Sequence, residues 1–164
     1  MRRLHSIKMK QFGYMSEIPG IGIYSSWLEM FEKEFNNLNE NQSQLKNLYL
    51  SMKSYLNSFN DPVLVHGDIS SENVIIFDDH VNGIIDYADC LCGDGLYDIG
   101  RFFLFAQGDW KYVDALAQGY KSSDENKSWT TIEKQCIQFY ACYFACWLET
   151  DNEIMNKLLI PISY

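Results

Sequence analysis

Two neighbouring segments decide the fold: Val63-Leu-Val-His-Gly-Asp-Ile-Ser-Ser-Glu-Asn-Val-Ile-Ile-Phe77 and Gly83-Ile-Ile-Asp-Tyr-Ala-Asp89. Short apolar runs that are rich in β-branched residues and bounded by Asp and Gly are typical of β-strands. Asp78-Asp79, between two such runs, is typical of a tight hairpin turn. The pattern therefore places Asp68, Asn73 and Asp86 at strand ends or on the loops that join them, where a rigid scaffold commonly holds reactive groups.

The spacing of these three polar residues suits phosphoryl transfer. In that reaction a protein must align the attacking hydroxyl and hold Mg²⁺ over the phosphates, mostly through positioning and charge. Asp68 would accept or orient the hydroxyl proton. The amide oxygen of Asn73 and the carboxylate of Asp86 are hard ligands suited to Mg²⁺. The alternative is that the two aspartates form turns and Asn73 caps a strand edge, which explains each residue singly but not the set.

Three motifs in a fixed order resemble the successive signatures of the aminoglycoside phosphotransferase family: His66-Gly-Asp-Ile-Ser-Ser-Glu-Asn73, Gly83-Ile-Ile-Asp-Tyr-Ala-Asp89 and Gly93-Asp-Gly-Leu-Tyr-Asp-Ile-Gly100. This family is similar to choline kinase and other small-molecule kinases and shares the protein-kinase fold, with H-G-D in place of H-R-D. The resemblance implies an α+β, mainly α, fold: the C-terminal lobe of a protein-kinase-like fold with a small catalytic β-hairpin. One residue departs from the motifs, Gly95, where the family usually has Pro.

The resemblance also implies roles for individual residues. Asp68 is the catalytic base, and His66 is a structural residue that supports the catalytic loop. Asn73 and Asp86 are the Mg²⁺ ligands and thereby the cofactor-binding residues, with ATP or GTP as the phosphoryl donor. Asp98 resembles the helix-start carboxylate that hydrogen-bonds back to the backbone of the catalytic loop and braces it.

Residues 1–164 are predicted to form a single domain. Its expected parts are a loop-rich lead-in (1–24) with at most a turn of helix near its start, a helical pair (25–60), the catalytic loop and hairpin (61–89), and a helical bundle (94–160). A kinase fold also needs a glycine-rich loop and a strand-borne lysine in its small lobe, whereas the resemblance covers the large lobe only. The N-terminal ATP-binding lobe is therefore expected to be absent from these residues and to be a partner of the chain.

Helical spacing and capping signals predict six helices. The first begins at the capping box Ser26-Trp-Leu-Glu29 and ends before a polar break at 36–42; the others span about 42–59, 95–106, 110–120, 130–149 and 151–159. The expected caps are Asp94, Asp109, and either Thr150 or Asp151, and Pro161 stops the last helix. The helix over 130–149 is apolar almost all round, which predicts a buried position.

The overall charge and the cysteine pattern restrict the partners and the compartment. The sequence has 13 Lys and Arg against 22 Asp and Glu, a formal net charge of −9. This excess disfavours nucleic acid and anionic membranes as partners, and no segment is long and apolar enough to span a membrane. No secretory signal is present, and the 5 cysteines lack disulfide or zinc spacing. These features predict buried thiols in a reducing, cytoplasmic location.

The acidic excess also favours a cationic acceptor, although ordinary solubility explains it as well. The candidate substrate residues are Asp89, Asp94, Glu149 and Asp151, which are expected near the cleft and could receive amino groups. The alternative for Glu149 and Asp151 is that they are solubility charges at helix ends. Fold and catalytic motif do not choose among the possible acceptors, which include aminoglycosides, macrolides, choline-like amino alcohols, amino acids and sugars. The oligomeric state also stays open.

Three functions fit the sequence. The first is Mg²⁺-ATP-dependent transfer of a phosphoryl group to a hydroxyl of a small molecule. The second is a catalytically silent kinase-like binding or regulatory domain, or a truncated remnant, since the small lobe is missing. The third is a phosphohydrolase that uses the same carboxylates around a metal.

Overall fold

The computed structural model describes residues 1–35, 43–122 and 127–160. After a short 3₁₀ helix at Leu4–Ser6, the elements are β1 (Phe12–Met15), β2 (Gly22–Tyr24), α1 (Trp27–Phe35), α2 (Ser43–Ser58), β3 (Val63–Val65), β4 (Val74–Phe77), β5 (His80–Ile84), β6 (Leu91–Gly93), α3 (Leu96–Phe105), α4 (Trp110–Tyr120), α5 (Thr131–Trp147) and α6 (Asn152–Leu158). The six predicted helices are present, and the mixed, mainly helical fold class is confirmed. The predicted break at 36–42 and the stop at Pro161 lie outside the described residues.

The structure corrects the expectation that residues 1–24 are a loop-rich lead-in. β1 pairs antiparallel with β2 and with β6, and β6 pairs antiparallel with β3, so that the sheet has the order β2-β1-β6-β3. Glycines interrupt these short strands and their surroundings, which is a local signal for loops. The hydrogen-bond partners that make β1 a strand lie partly on β6, far along the chain, where no local pattern indicates them.

The β4–β5 hairpin has the predicted position and turn. Its ladder pairs Val74 with Ile84 and Phe77 with His80. Asp78 and Asp79 form the turn with φ of 49° and 57°. Two successive left-handed residues match the right-handed twist of the flanking strands. Short polar side chains tolerate this conformation better than most others.

α3 and α5 meet at the centre of the helical core. α5 is buried without interruption from Cys136 to Ala145, which confirms the predicted buried helix. The helices approach closely at Gly100, where an added Cβ would lie 2.5 Å from the Cβ of Tyr140. Trp27 on α1 donates its indole N–H to the hydroxyl of Tyr140 at 2.8 Å, so α1 is joined to the same core. No helix in the described ranges is long and apolar enough to cross a membrane.

Helix caps agree with the sequence in most places. Asp109 accepts a hydrogen bond from the N–H of Lys111, and Asp151 rather than Thr150 caps α6 by accepting from Ile154. The predicted box at Ser26 is half formed: its hydroxyl accepts from the N–H of Glu29. The Glu29 carboxylate, in contrast, accepts from the backbone N–H and the hydroxyl of Ser25.

All five cysteines are free thiols. Cys92, Cys136 and Cys142 are buried, and Cys90 and Cys146 are partly buried. Burial raises the pKa of each thiol, to about 11 for Cys146 and about 12 for Cys142. A raised pKa favours the protonated thiol, which is a weak nucleophile.

Candidate active site

A buried carboxylate holds the loop that follows β3. Asp98, on the first turn of α3, is fully buried. Its two oxygens accept hydrogen bonds from the backbone N–H groups of His66 at 2.9 Å and Gly67 at 2.8 Å. A carboxylate is costly to bury unless its oxygens are paired, which ties α3 and the loop to each other. The structure thus places Asp98 against the loop that carries Asp68.

The His66 side chain connects this loop to the end of β5. Its Nδ1 accepts a hydrogen bond from the N–H of Asp68 at 3.2 Å, so the ring proton lies on Nε2. Nε2 donates to the carbonyl of Ile85 at 2.9 Å. The imidazole is completely buried and therefore spans the space between the loop and the residue that precedes Asp86.

Gly67 is required by the geometry of the same loop. Its φ is +83°, and an added Cβ would lie 2.2 Å from the carbonyl oxygen of Asp89. No other residue combines the left-handed backbone with this close approach at low cost. The glycine lets the segment around Asp89 lie directly against the loop.

Both carboxylate oxygens of Asp68 have a partner. Oδ1 accepts hydrogen bonds from Nη2 of Arg101 at 2.6 Å and from Nε of Arg101 at 3.2 Å. Oδ2 accepts from Nδ2 of Asn73 at 3.0 Å. Nδ2 of Asn73 also donates to the Asp68 carbonyl at 3.0 Å. Two residues from different elements therefore determine the orientation of the Asp68 carboxylate.

Asn73 and Asp86 lie at the same end of the hairpin. The carbonyl of Asn73 accepts a hydrogen bond from the N–H of Ile85, next to Asp86, at 3.0 Å. Asn73 is buried, and because its Nδ2 faces Asp68, its Oδ1 is left with no donor among the described residues. Asp86 is exposed with φ of 62°, and among the residues that the structure describes its carboxylate accepts only a long hydrogen bond of 3.4 Å, from the N–H of Ala88. These oxygens are open to a further ligand.

This donor set fits Mg²⁺. A neutral amide oxygen and a carboxylate are hard oxygen ligands, and protein sites often hold Mg²⁺ through few side chains together with phosphate oxygens and water. Within the described ranges, no group of three or more His, Cys, Asp and Glu residues could hold a metal by itself. The arrangement therefore suits an ion shared with a phosphate group better than a closed protein cage.

A cavity of about 150 Å³ adjoins Asp68. Asp89 and Arg101 also line it, and an aromatic wall is formed by Tyr14, Tyr143 and Trp147. Burial raises the pKa of the Tyr14 and Tyr143 phenols, which leaves them uncharged. The cavity thus offers one exposed carboxylate, Asp89, and an apolar surface beside the carboxylate of Asp68.

A larger apolar cavity of about 1020 Å³ lies between the hairpin and α3. It is lined by residues of the loop, β4 and the helices, among them Ile69, Ser70, Val74, Ile76, Phe102 and Trp110. None of Asp68, Asn73 and Asp86 lines it. Of these three residues, Asp68 lines the smaller cavity.

Asp94, expected near the cleft as a candidate substrate residue, is buried and does not line the cavity beside Asp68. Asp94 is only 4% exposed, and it accepts hydrogen bonds from the hydroxyls of Tyr55 at 2.8 Å and Tyr140 at 2.9 Å. It also accepts from the N–H of Leu96, the first residue of α3, at 2.9 Å, although the N-cap of that helix is Gly95 rather than the predicted Asp94. The two tyrosines come from α2 and α5, so their convergence on Asp94 is a tertiary feature with no local signal.

The other candidate substrate residues lie in different surroundings. Asp89 is exposed and lines the smaller cavity. Asp151 caps α6, and Glu149 has φ of 51° in the turn after α5. Neither of these two belongs to the described lining of that cavity. Of the four candidates, Asp89 is the one that lines the cavity beside Asp68.

The sequence reasoning missed the aromatic wall of the smaller cavity and also Arg101 and His5. Arg101 contacts Asp68, and its position three residues after Asp98 on a helix could have placed it on the same face. His5 contacts Asp98, with Nε2 2.9 Å from Oδ2. No feature of the sequence around His5 indicates a partner in α3.

The fold and the braced loop together define a kinase-like protein with mixed α+β structure. Residues 3–131 match the Phosphotransferase enzyme family. The chain belongs to that family. A search of curated protein sequences finds no match.

Solved structures show the same fold. The chain is similar to a thermostable mutant of aminoglycoside phosphotransferase APH(4)-Ia in its apo form, with a TM-score of 0.60 and 16% identity over 92% of this chain and 55% of that one. It is also similar to a variant in ternary complex with ADP and hygromycin B, with a TM-score of 0.61 and 14% identity over 92% of this chain and 55% of that one. The chain thus spans about half the length of these structures.

Proposed function

We propose that this chain is the large, C-terminal lobe of a phosphotransferase that moves the γ-phosphoryl group of ATP to a hydroxyl of a small molecule. The observation that carries the proposal is the environment of Asp68. Its carboxylate is held on both oxygens, on a loop braced by buried Asp98, beside a cavity. A turn-forming aspartate would need none of these contacts. Membership of the phosphotransferase family supports the same reaction class.

Asp68 acts in this proposal as the base. It accepts the proton of the acceptor hydroxyl while the hydroxyl oxygen bonds to the γ-phosphorus and the bond from that phosphorus to the ADP oxygen breaks. Asn73 holds the carboxylate through Nδ2, and His66 holds the loop through its two ring nitrogens. These contacts keep the base in place before the acceptor arrives, which is how positioning lowers a barrier.

The proposed nucleotide site includes Asn73 and Asp86, at one end of the β4–β5 hairpin. Oδ1 of Asn73 and the carboxylate of Asp86 would hold Mg²⁺, which, when bound, neutralises charge on the phosphates. Residues 1–164 form a single domain in this proposal, and a second, ATP-binding lobe completes the nucleotide site. The solved neighbours are longer than this chain, which supports a further lobe.

The acceptor in this proposal carries a cationic group. Asp89 provides a carboxylate, and the ring of Trp147, which is 62% exposed, provides an aromatic face for an ammonium group. A structural neighbour binds hygromycin B together with ADP. Aminoglycosides are therefore the first acceptor class to test, followed by choline-like amino alcohols.

The experiment measures ADP formation by the natural full-length protein with Mg²⁺-ATP and a panel of hygromycin B, other aminoglycosides and choline. Asp68→Asn is expected to lower the rate about 100-fold or more, since general-base catalysis typically contributes 10²–10⁴-fold. Asp114→Asn, at an exposed position on α4, serves as the matched control and should keep the rate. An unchanged rate in Asp68→Asn would refute the proposal.

Calorimetry separates the proposal from a silent binding domain. Asp86→Ala should abolish binding of Mg²⁺-ATP, whereas Asp68→Asn should retain it, because of these two aspartates only Asp86 is proposed to contact the metal. Binding of Mg²⁺-ATP without ADP formation for any acceptor would favour the silent domain. Phosphate release from simple esters without nucleotide would favour a phosphohydrolase.

A further inference from the structure

Arg101 is held in one position by two aromatic rings. The guanidinium carbon lies 4.9 Å from the ring centre of Phe105, on the same helix, and 4.9 Å from that of Phe144 on α5. The side chain is only 11% exposed. These two cation–π contacts restrict the guanidinium, and this preorganisation favours directed hydrogen bonding.

The fixed guanidinium donates hydrogen bonds to one oxygen of the Asp68 carboxylate, Oδ1. Nε and Nη2 both donate to Oδ1, at 3.2 and 2.6 Å, while Asn73 occupies Oδ2. Each oxygen of the carboxylate therefore has a hydrogen-bond partner, and the carboxylate has little freedom to rotate. Arg101 and Asp68 also line the same cavity of about 150 Å³. Their contact therefore lies where an acceptor would enter.

α3 reaches the catalytic loop twice from one face. Asp98 accepts the loop amides of His66 and Gly67, and Arg101, three residues later on the helix, donates to the side chain of Asp68. Residues at this spacing lie next to each other on a helix surface. One rigid helix thus fixes both the backbone of the loop and the direction of its carboxylate.

We infer that Arg101 is a positioning residue for phosphoryl transfer, which aligns the Asp68 carboxylate with the acceptor hydroxyl. The inference rests on the proposed function. Arg101 itself does not accept the proton. Its contribution is to the geometry of the base, and a misplacement of about 1 Å in such a site can cost about 100-fold in rate.

The rival interpretation is an ordinary structural ion pair, and the chain contains a close match for one. Lys121 and Glu133 lie 2.8 Å apart with side-chain exposures of 11% and 26%, against 2.6 Å, 11% and 29% for Arg101 and Asp68. Lys121 also contacts an aromatic ring, that of Trp129. This pair joins the end of α4 to the start of α5, and neither of its members lines the cavity beside Asp68.

The test compares Arg101→Gln, Arg101→Lys and Lys121→Gln in the natural full-length protein. ADP release from Mg²⁺-ATP is measured with water as acceptor and with any acceptor from the panel above, together with Tm and the Kd for Mg²⁺-ATP. We expect both glutamine variants to lower Tm by about 2–6 °C, as the loss of one partly buried pair predicts. Arg101→Gln should also lower kcat about 10- to 100-fold, with the Kd and the KM for ATP within about twofold of wild type.

Arg101→Lys should restore part of kcat, because it retains the charge, but not all of it, because an ammonium lacks the planar pair of donors. Lys121→Gln should leave kcat unchanged. Equal kcat values for Arg101→Gln and Lys121→Gln, with an active wild type, would overturn the inference alone. A wild type that binds Mg²⁺-ATP but never releases ADP would instead overturn the proposed function and the inference with it.

Discussion

The imidazole of His5 lies 2.9 Å from the carboxylate of Asp98, although the two residues are 93 positions apart. Its other nitrogen lies 2.7 Å from the hydroxyl of Tyr120. Asp98 also accepts the amides of His66 and Gly67. A single buried carboxylate therefore joins the start of the chain, α3 and the loop that carries the proposed base.

Replacing His5 with Ala should destabilise the protein. The change removes a partner of buried Asp98 and leaves the hydroxyl of Tyr120 without its imidazole partner, for which we expect a loss of about 1–3 kcal/mol in the free energy of unfolding. Urea denaturation measures it. His80→Ala, at an exposed hairpin position, is the control and should change stability by less than about 0.5 kcal/mol. Equal losses for the two variants would show that His5 has no special role.

Two glycine-to-alanine changes should have opposite signs. Gly67→Ala adds a Cβ 2.2 Å from a backbone carbonyl at φ of +83°, and we expect destabilisation by about 2 kcal/mol or more. Gly119→Ala lies in α4 with nothing within 4 Å of the new Cβ, and should stabilise the helix by about 0.5–1 kcal/mol. Thermal unfolding of both variants checks the signs. A neutral Gly67→Ala would contradict the loop geometry.

The burial of Asp94 predicts a stability effect that Asp89 should not share. Asp94→Ala leaves the hydroxyls of Tyr55 and Tyr140 and the N–H of Leu96 without their acceptor, and we expect a loss of about 3 kcal/mol or more. Asp89→Ala, at an exposed position, should stay within about 0.5 kcal/mol. Denaturant midpoints compare the two. If Asp89→Ala were the more damaging, Asp94 would not be the structural carboxylate.

The Lys121–Glu133 pair should make stability depend on pH. Burial alone raises the pKa of the Glu133 carboxyl, but hydrogen bonds from Lys121 and Thr130 outweigh it and the pKa lies below its ordinary value. A lowered folded-state pKa stabilises above the unfolded value of about 4.3 and loses this effect as pH falls through the folded value.

Glu133→Gln should therefore lower the free energy of unfolding by about 0.5–1 kcal/mol at pH 7. This value is reduced because solvent screens a partly exposed pair. The variant keeps a side chain that can complete the capping box with Thr130. The difference from wild type should shrink steadily below about pH 4. Urea denaturation across pH 3–7 follows it, and a constant difference would mean that the cap rather than the charge is responsible.

Local signals in the sequence determined the segments around the proposed site. Strand-forming runs around His66-Gly-Asp68, the Asp78-Asp79 turn and the helix caps each depend on residues a few positions apart, so periodicity and capping rules predicted them. The family motifs were recognised from the same short segments. The Asp98-x-x-Arg101 spacing was also present, although it identified no partner for Arg101.

Only the tertiary structure decided which distant groups meet. The strands within residues 1–24, the burial of Asp94, and the contacts His5–Asp98 and Arg101–Asp68 each depend on a partner from another part of the chain. Such contacts form when packing brings elements together. The residues next to each partner in the sequence do not indicate the contact. The sequence by itself determined the family motifs and their order, and packing decided what holds them in place, since hydrogen bonds between distant residues depend on the assembled core.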